Sequence, residues 1–105
     1  MGLQRTIEFP TSAPSWSDLR ARLLQVGFTP QMRLIDNLPA FPDEEPEETW
    51  QDLRFTLGHG MLTLRRSGKA LTVLVWGNAD SATQQEQELV AKLCLEMATE
   101  KEKNG

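Results

Sequence analysis

The sequence predicts an α+β fold, a two-layer sandwich in which an antiparallel sheet carries two helices packed on one face. Period-two alternation, typical of half-buried strands, occurs at the start of the chain and throughout its second half. Two segments with helical periodicity, near 16–26 and 81–100, each present one apolar stripe, and such stripes are buried by packing against a sheet. The length of 105 residues fits one domain, residues 1–105.

The first strand and the first helix follow each other closely. Residues Leu3 to Phe9 alternate in character, which predicts a strand. Ser15 precedes the helical segment and is followed three residues later by Asp18, a pattern that indicates an N-cap. Gly27 is expected to end this helix, since glycine adopts the left-handed conformation at little cost.

A weaker alternation predicts a second strand over residues Gln31 to Leu38. The next segment, 39–48, contains three prolines and five acidic residues. Proline removes backbone amides and like charges repel, so we expect an acidic, proline-rich loop. Its carboxylates lack the spacing and the central glycine of an EF-hand, and no calcium site is predicted.

The second half of the chain predicts three strands joined by two tight turns, at Gly58–His59 and at Ser67–Gly68. The first turn places Phe55 opposite Leu62, and the second places Leu64 opposite Leu71. Because a slip of one residue would expose the apolar side chains, the agreement of the two turns predicts the buried face. That face comprises Leu53, Phe55, Leu57, Leu62, Leu64, Leu71, Val73 and Val75.

The final helix is expected to begin at a cap formed by Asp80 or Ser81. Its core stripe is Leu89, Val90, Leu93 and Met97, and its solvent side is Glu86, Glu88, Lys92 and Glu96. Residues 101–105 are expected to fray. The complete predicted order is β-α-β-β-β-β-α.

Composition excludes several functional classes. The formal net charge of −4 disfavours nucleic-acid binding, which depends on cationic side chains. No apolar segment approaches the length of about 20 residues that spans a bilayer, and no membrane association is expected. One cysteine and no visible export signal favour a cytoplasmic location. We expect no cofactor and no metal.

The inventory of catalytic groups is small. His59 is the single histidine and Cys94 the single cysteine. His59 lies in a predicted turn, where an exposed side chain is expected, and Cys94 borders the core stripe of the final helix, where a buried thiol is expected. No nucleophile, base and acid are spaced as a triad, so the sequence does not predict an enzyme.

The second face of the predicted sheet holds the candidate contact residues. Met61 is expected opposite Leu74, with Trp76 beside them, and Arg54 and Arg65 form a polar rim. Exposed tryptophan and methionine are typical of interface cores. Trp76 is covered either by the 39–48 loop or by a partner. The sequence therefore predicts a non-catalytic protein-interaction or self-association module, acting on a protein partner or as a homodimer. The alternative is a small-molecule or peptide-binding domain with a pocket between the sheet and the 39–48 loop.

Overall fold

A computed structural model of the chain describes residues 2–104, and the side chains of residues 3–101. It confirms the predicted α+β class: one antiparallel sheet of six strands in the described residues, with two helices. The strand order is β1-β6-β5-β4-β2-β3. The elements are β1 (Gly2–Glu8), α1 (Trp16–Gln25), β2 (Gln31–Ile35), β3 (Leu38–Pro39), β4 (Asp52–Thr56), β5 (Met61–Ser67), β6 (Ala70–Trp76) and α2 (Ser81–Asn104).

Both helices begin at the predicted caps. The Ser15 hydroxyl accepts the backbone N–H of Asp18 at 3.1 Å, and the Asp80 carboxylate accepts that of Thr83 at 2.8 Å. Gly27 follows the end of α1 with a φ of 92°. The predicted frayed end is helical as far as Asn104, and Gly105 lies outside the described residues.

The core lies between the sheet and the helices. α2 packs across β1, β6 and β5, and α1 packs beside α2. α1 also reaches the sheet, because the rings of Trp16 and Phe55 meet edge to face with their centroids 5.1 Å apart. All eight side chains predicted on the apolar face are buried. Burying each one fully is worth about 1.5–3 kcal/mol, so this face dominates the stability of the sheet.

The predicted strand over Gln31 to Leu38 is interrupted by a turn. Asp36 and Asn37 have φ values of 49° and 68°, as a tight hairpin turn of type I′ requires. The Asp36 carboxylate also accepts the backbone N–H groups of Gln51 and Asp52, both at 2.9 Å. Aspartate and asparagine tolerate this conformation, so the segment becomes β2, a turn and the short β3.

The hairpin between β5 and β6 turns one position later than predicted. Ser67 pairs with Ala70, which leaves Gly68 and Lys69 as the two turn residues. Gly68, with a φ of 58°, takes the first central position, where a positive φ is needed. The register shifts by two residues and Leu64 faces Val73 instead of Leu71. Because side chains alternate with a period of two, the apolar residues stay on the buried face.

The 39–48 loop runs along the outer edge of β2. Its Pro42 carbonyl accepts the backbone N–H of Met32, and its Ala40 N–H donates to the Arg33 carbonyl, both at 3.0 Å. Apart from Pro39 at the end of β3, this acidic segment forms no helix or strand, as predicted. The loop is therefore held at the edge of the sheet that lies furthest from β1.

Candidate functional site

The helices leave one face of the sheet open. α2 packs on the buried face, α1 packs against α2 and reaches that face through Trp16, and the described residues contain no other helix. On the open face of β6, Leu74 is half-buried and Trp76 keeps 64% of its surface exposed. A tryptophan this exposed is unusual on a small chain, because its indole ring presents a large apolar area. The open face near Trp76 is the candidate functional site.

A shallow groove of about 170 Å³ crosses the open face. It runs between β1, β6, β5 and β4, four strands that are adjacent in the sheet. Its bottom is apolar at Leu74 and Trp76, and its rim carries two guanidinium groups. The groove is lined by Gln4, Arg54, Thr63, Arg65, Leu74, Val75 and Trp76. We call these residues, without Val75, the open-face patch, because the Val75 side chain is buried on the helix side of the sheet.

A single carboxylate organises the two arginines of the patch. Arg65 Nε lies 3.0 Å from Asp52 Oδ2, and Arg54 Nε lies 3.8 Å from Asp52 Oδ1. The strand register places Asp52 directly opposite Arg65. Two cations share one anion, so a net positive charge remains. Arg54 Nε is also buried without a hydrogen-bond acceptor.

The structure brings together four of the five predicted contact residues. Arg54, Arg65, Leu74 and Trp76 line one groove, whereas Met61 lies outside it. The two-residue register shift explains the difference, because Leu74 pairs with Thr63 and not with Met61. Met61 is exposed on β5, where its backbone partner is Thr56.

Two further members of the patch were not predicted. Gln4 faces Leu74 through the pairing of β1 with β6, strands that lie far apart in the sequence. No local turn specifies that pairing, so no sequence signal placed Gln4 at the site. Thr63 lies opposite Leu74 because the β5–β6 hairpin turns at Gly68 and Lys69. Placing Gly68 at the first turn position, where a positive φ is needed, would have predicted this pairing.

The 39–48 loop does not cover Trp76, contrary to one of the two predicted arrangements. The loop is held against β2, at the opposite end of the sheet from β1 and β6. Trp50, just after the loop, is buried in the core, and Phe41 is exposed on the loop. A separate groove of about 380 Å³ does lie between this loop and the β2–β3 turn. It is lined by Ile35, Asp36, Leu38, Pro39, Glu44, Glu45, Pro46, Glu47 and Thr49.

His59 is anchored rather than free in its loop. Its Nδ1 lies 2.8 Å from Oε2 of Glu86 on α2, and this hydrogen bond raises the pKa of His59. Glu86 was predicted to face solvent, but its side chain is only 7% exposed because it turns inward to meet the imidazole. The pair ties the β4–β5 loop to α2.

Cys94 is fully buried, as predicted, and burial raises the pKa of its thiol to about 12. The thiolate is the reactive form of cysteine, so this thiol is unsuited to nucleophilic chemistry at neutral pH. Across residues 3–101, the His, Cys, Asp and Glu side chains form no cluster of three that could hold a metal ion. Neither helix in the described part of the chain is long and apolar enough to cross a membrane.

Comparison of the chain with protein families, with curated proteins and with solved structures finds no match. Any functional hypothesis therefore rests on the residues of the chain itself, and the open-face patch is the candidate site.

Proposed function

We propose that this chain is a small non-catalytic, cytoplasmic protein-interaction module that binds through the open-face patch. The exposed Trp76 carries the proposal, since it lies beside Leu74 on a sheet face that no helix of the described chain covers. Aromatic residues and arginine are the side chains most enriched at binding hot spots. The patch combines both types within one groove.

The chemistry of the patch favours a partner segment with an apolar residue next to carboxylates. The apolar residue fits against Leu74 and Trp76, and a carboxylate fits the rim at Arg54 and Arg65. The arginines retain net positive charge after pairing with Asp52. Charge complementarity of this kind raises the association rate and selects against basic partners.

A synthetic peptide with the sequence of residues 39–48 is a suitable probe, because it carries one phenylalanine and five carboxylates. Trp16 and Trp50 are buried, so a collisional quencher such as acrylamide acts mainly on Trp76. We expect the peptide to protect Trp76 from quenching, and added salt to weaken that protection. Equal quenching with and without the peptide contradicts the proposed partner chemistry.

Variants of the chain separate the patch from the fold. Trp76→Ala and Arg65→Ala should each weaken peptide binding, by about 2 kcal/mol at a hot spot. Isothermal titration calorimetry measures this loss, because Trp76→Ala removes the fluorescent reporter. Trp76→Ala should change the free energy of unfolding by less than about 1 kcal/mol, because the ring is largely in water already. Phe41→Ala, an exposed aromatic on the 39–48 loop, is the matched control and should leave peptide binding unchanged. A loss of stability of about 3–5 kcal/mol at Trp76 means that the ring is structural.

The second candidate is a small-molecule or peptide-binding domain that uses the groove between the 39–48 loop and the β2–β3 turn. The groove of about 380 Å³ favours it, and its acidic rim selects cationic ligands. Polyamines and lysine-rich peptides are the probes for this site. We would assign function to this groove instead of the open-face patch if a probe bound saturably, if Glu44→Gln abolished that binding and if Arg65→Ala left it unchanged.

A further inference from the structure

β1 forms one edge of the sheet. It pairs with β6 on one side, and no described strand pairs with its other side. Phe9 N–H donates to the Lys69 carbonyl, just past the end of the β1–β6 ladder. Hydrogen bonding alternates along an antiparallel strand, so the backbone groups of Gln4, Thr6 and Glu8 point outward. A strand of seven residues with neither proline nor bulge is an open template for another strand.

A groove of about 450 Å³ lies between this edge and α2. Ile7, Ala91 and Leu95 supply its apolar surface, and Leu95 is 58% exposed. Two of the four charged side chains that line it are paired with each other, since Arg5 Nη2 lies 2.8 Å from Glu88 Oε1. The Gln4 carbonyl accepts a hydrogen bond from Arg5 Nη1 at 3.1 Å, and the exposed Arg5 side chain has to move aside when another strand pairs there. The edge therefore offers the backbone groups of Thr6 and Glu8 together with an unfilled apolar groove.

We propose that β1 pairs antiparallel with β1 of a second copy of this chain, joining the two sheets into one and bringing the two α2 helices together in the groove. This surface shares only Gln4 with the open-face patch, through the backbone of that residue. It gives the chain a self-association site in addition to its partner-binding site.

Helix spacing favours a second copy over an isolated peptide strand. α2 packs over both β1 and β6. Adjacent strands lie about 4.8 Å apart, so a two-fold axis at the β1 edge places the two α2 helices about 10 Å apart, which is the distance of packed helices. A second copy therefore supplies the strand and fills the groove with Ala91 and Leu95 of its own α2. A lone strand leaves Leu95 in water.

Charge decides between a register with its two-fold axis at Thr6 and one with its axis at Arg5. A two-fold axis at Thr6 makes Thr6 its own partner, with Gln4 opposite Glu8 of the second copy and Arg5 opposite Ile7. An axis at Arg5 sets two guanidinium groups against each other, which is destabilising. With the axis at Thr6, the outward-pointing residues form the hydrogen-bonded pairs of the new ladder.

The molar mass in solution tests the pairing. Light scattering of the full chain over a dilution series should give twice 11.9 kDa at high concentration. Thr6→Pro, which removes an outward N–H at a tolerated edge position, should return the mass to 11.9 kDa, whereas Thr6→Ala should not. Leu95→Lys should also give the monomer, and Leu24→Lys, an exposed leucine on α1, is its control. A monomer at every concentration overturns the proposal.

Cross-linking tests the register. The Cα atoms of a hydrogen-bonded antiparallel pair are about 5.5 Å apart, within reach of a disulfide. Thr6→Cys should therefore form a covalent dimer under mild oxidation, while Gln4→Cys should not, because its copies lie more than about 10 Å apart. Cys94 is buried and does not compete. If Trp76→Ala abolishes a dimer that survives Thr6→Pro, the open-face patch is the self-association surface and the β1 pairing is wrong.

Discussion

The guanidinium group of Arg66 lies over the indole ring of Trp50, with its central carbon 4.1 Å from the ring centroid. Arg66 Nε also donates to the Trp50 carbonyl at 3.0 Å, and Nη2 donates to the Trp50 and Glu48 carbonyls. Arg66 is on β5, whereas Trp50 follows the acidic 39–48 loop. One side chain thus fastens the end of that loop to the sheet.

Replacement of Arg66 should release this end of the loop. We expect Arg66→Ala to lower the free energy of unfolding by about 2–4 kcal/mol, through loss of charge-assisted hydrogen bonds and of the cation–π contact. Arg66→Lys should recover only part of the loss, because an ammonium group cannot reproduce the planar stack and fork. Urea denaturation measures the free energy of unfolding of both variants. Arg33→Ala, an exposed arginine on β2, is the control and should change stability little.

Gly60 should resist substitution for a steric reason. A Cβ atom at this position would lie 2.7 Å from Oγ1 of Thr83, and Thr83 is buried. The Gly60 N–H also donates to that oxygen at 2.8 Å. We expect Gly60→Ala to destabilise the fold by about 1–3 kcal/mol in thermal or chemical denaturation. In the double variant with Thr83→Ala the clash is absent, so the cost of Gly60→Ala should shrink. If Gly60→Ala lowers the free energy of unfolding equally in the native chain and in the Thr83→Ala variant, a clash with Thr83 is not the cause.

The His59–Glu86 pair should make stability depend on pH. The hydrogen bond to Glu86 raises the pKa of His59 above its ordinary value of 6.5. A raised folded-state pKa means that the stabilisation is fully present below about pH 6.5, the unfolded value, and is lost as pH rises through the folded value. The difference in unfolding free energy between the native chain and His59→Gln should therefore fall with rising pH. Glu86→Gln should flatten this dependence, and a flat profile in the native background would show that the pair contributes nothing.

The alternation along β6 should appear in a pair of alanine substitutions. Val73 is fully buried against the helices, whereas Thr72 lies on the open face, where its hydroxyl lies 3.0 Å from that of Thr6. We expect Val73→Ala to cost about 1–3 kcal/mol of unfolding free energy and Thr72→Ala much less. Comparable losses for the two variants in chemical denaturation would contradict the assigned faces of the strand.

The sequence by itself determined which side of β4, β5 and β6 is buried. The period-two alternation is local, and two short turns specified the same apolar face even though one turn was predicted a position too early. The Ser15 and Asp80 caps and Gly27 were also predictable, because a cap depends on residues within one turn of the helix. The Asp36–Asn37 turn was missed, since it lies inside a segment whose alternation favours a continuous strand.

Only the tertiary structure decided which surfaces are covered by distant parts of the chain and which stay exposed. The pairing of β1 with β6 brings Gln4 to the open-face patch and leaves the other edge of β1 unpaired. Glu86 has a solvent-facing place in the sequence pattern, yet it is buried because the β4–β5 loop brings His59 over it. The 39–48 loop is held against β2 and leaves Trp76 exposed. These outcomes depend on contacts between residues far apart in the chain. Local periodicity carries no information about which distant segments come into contact.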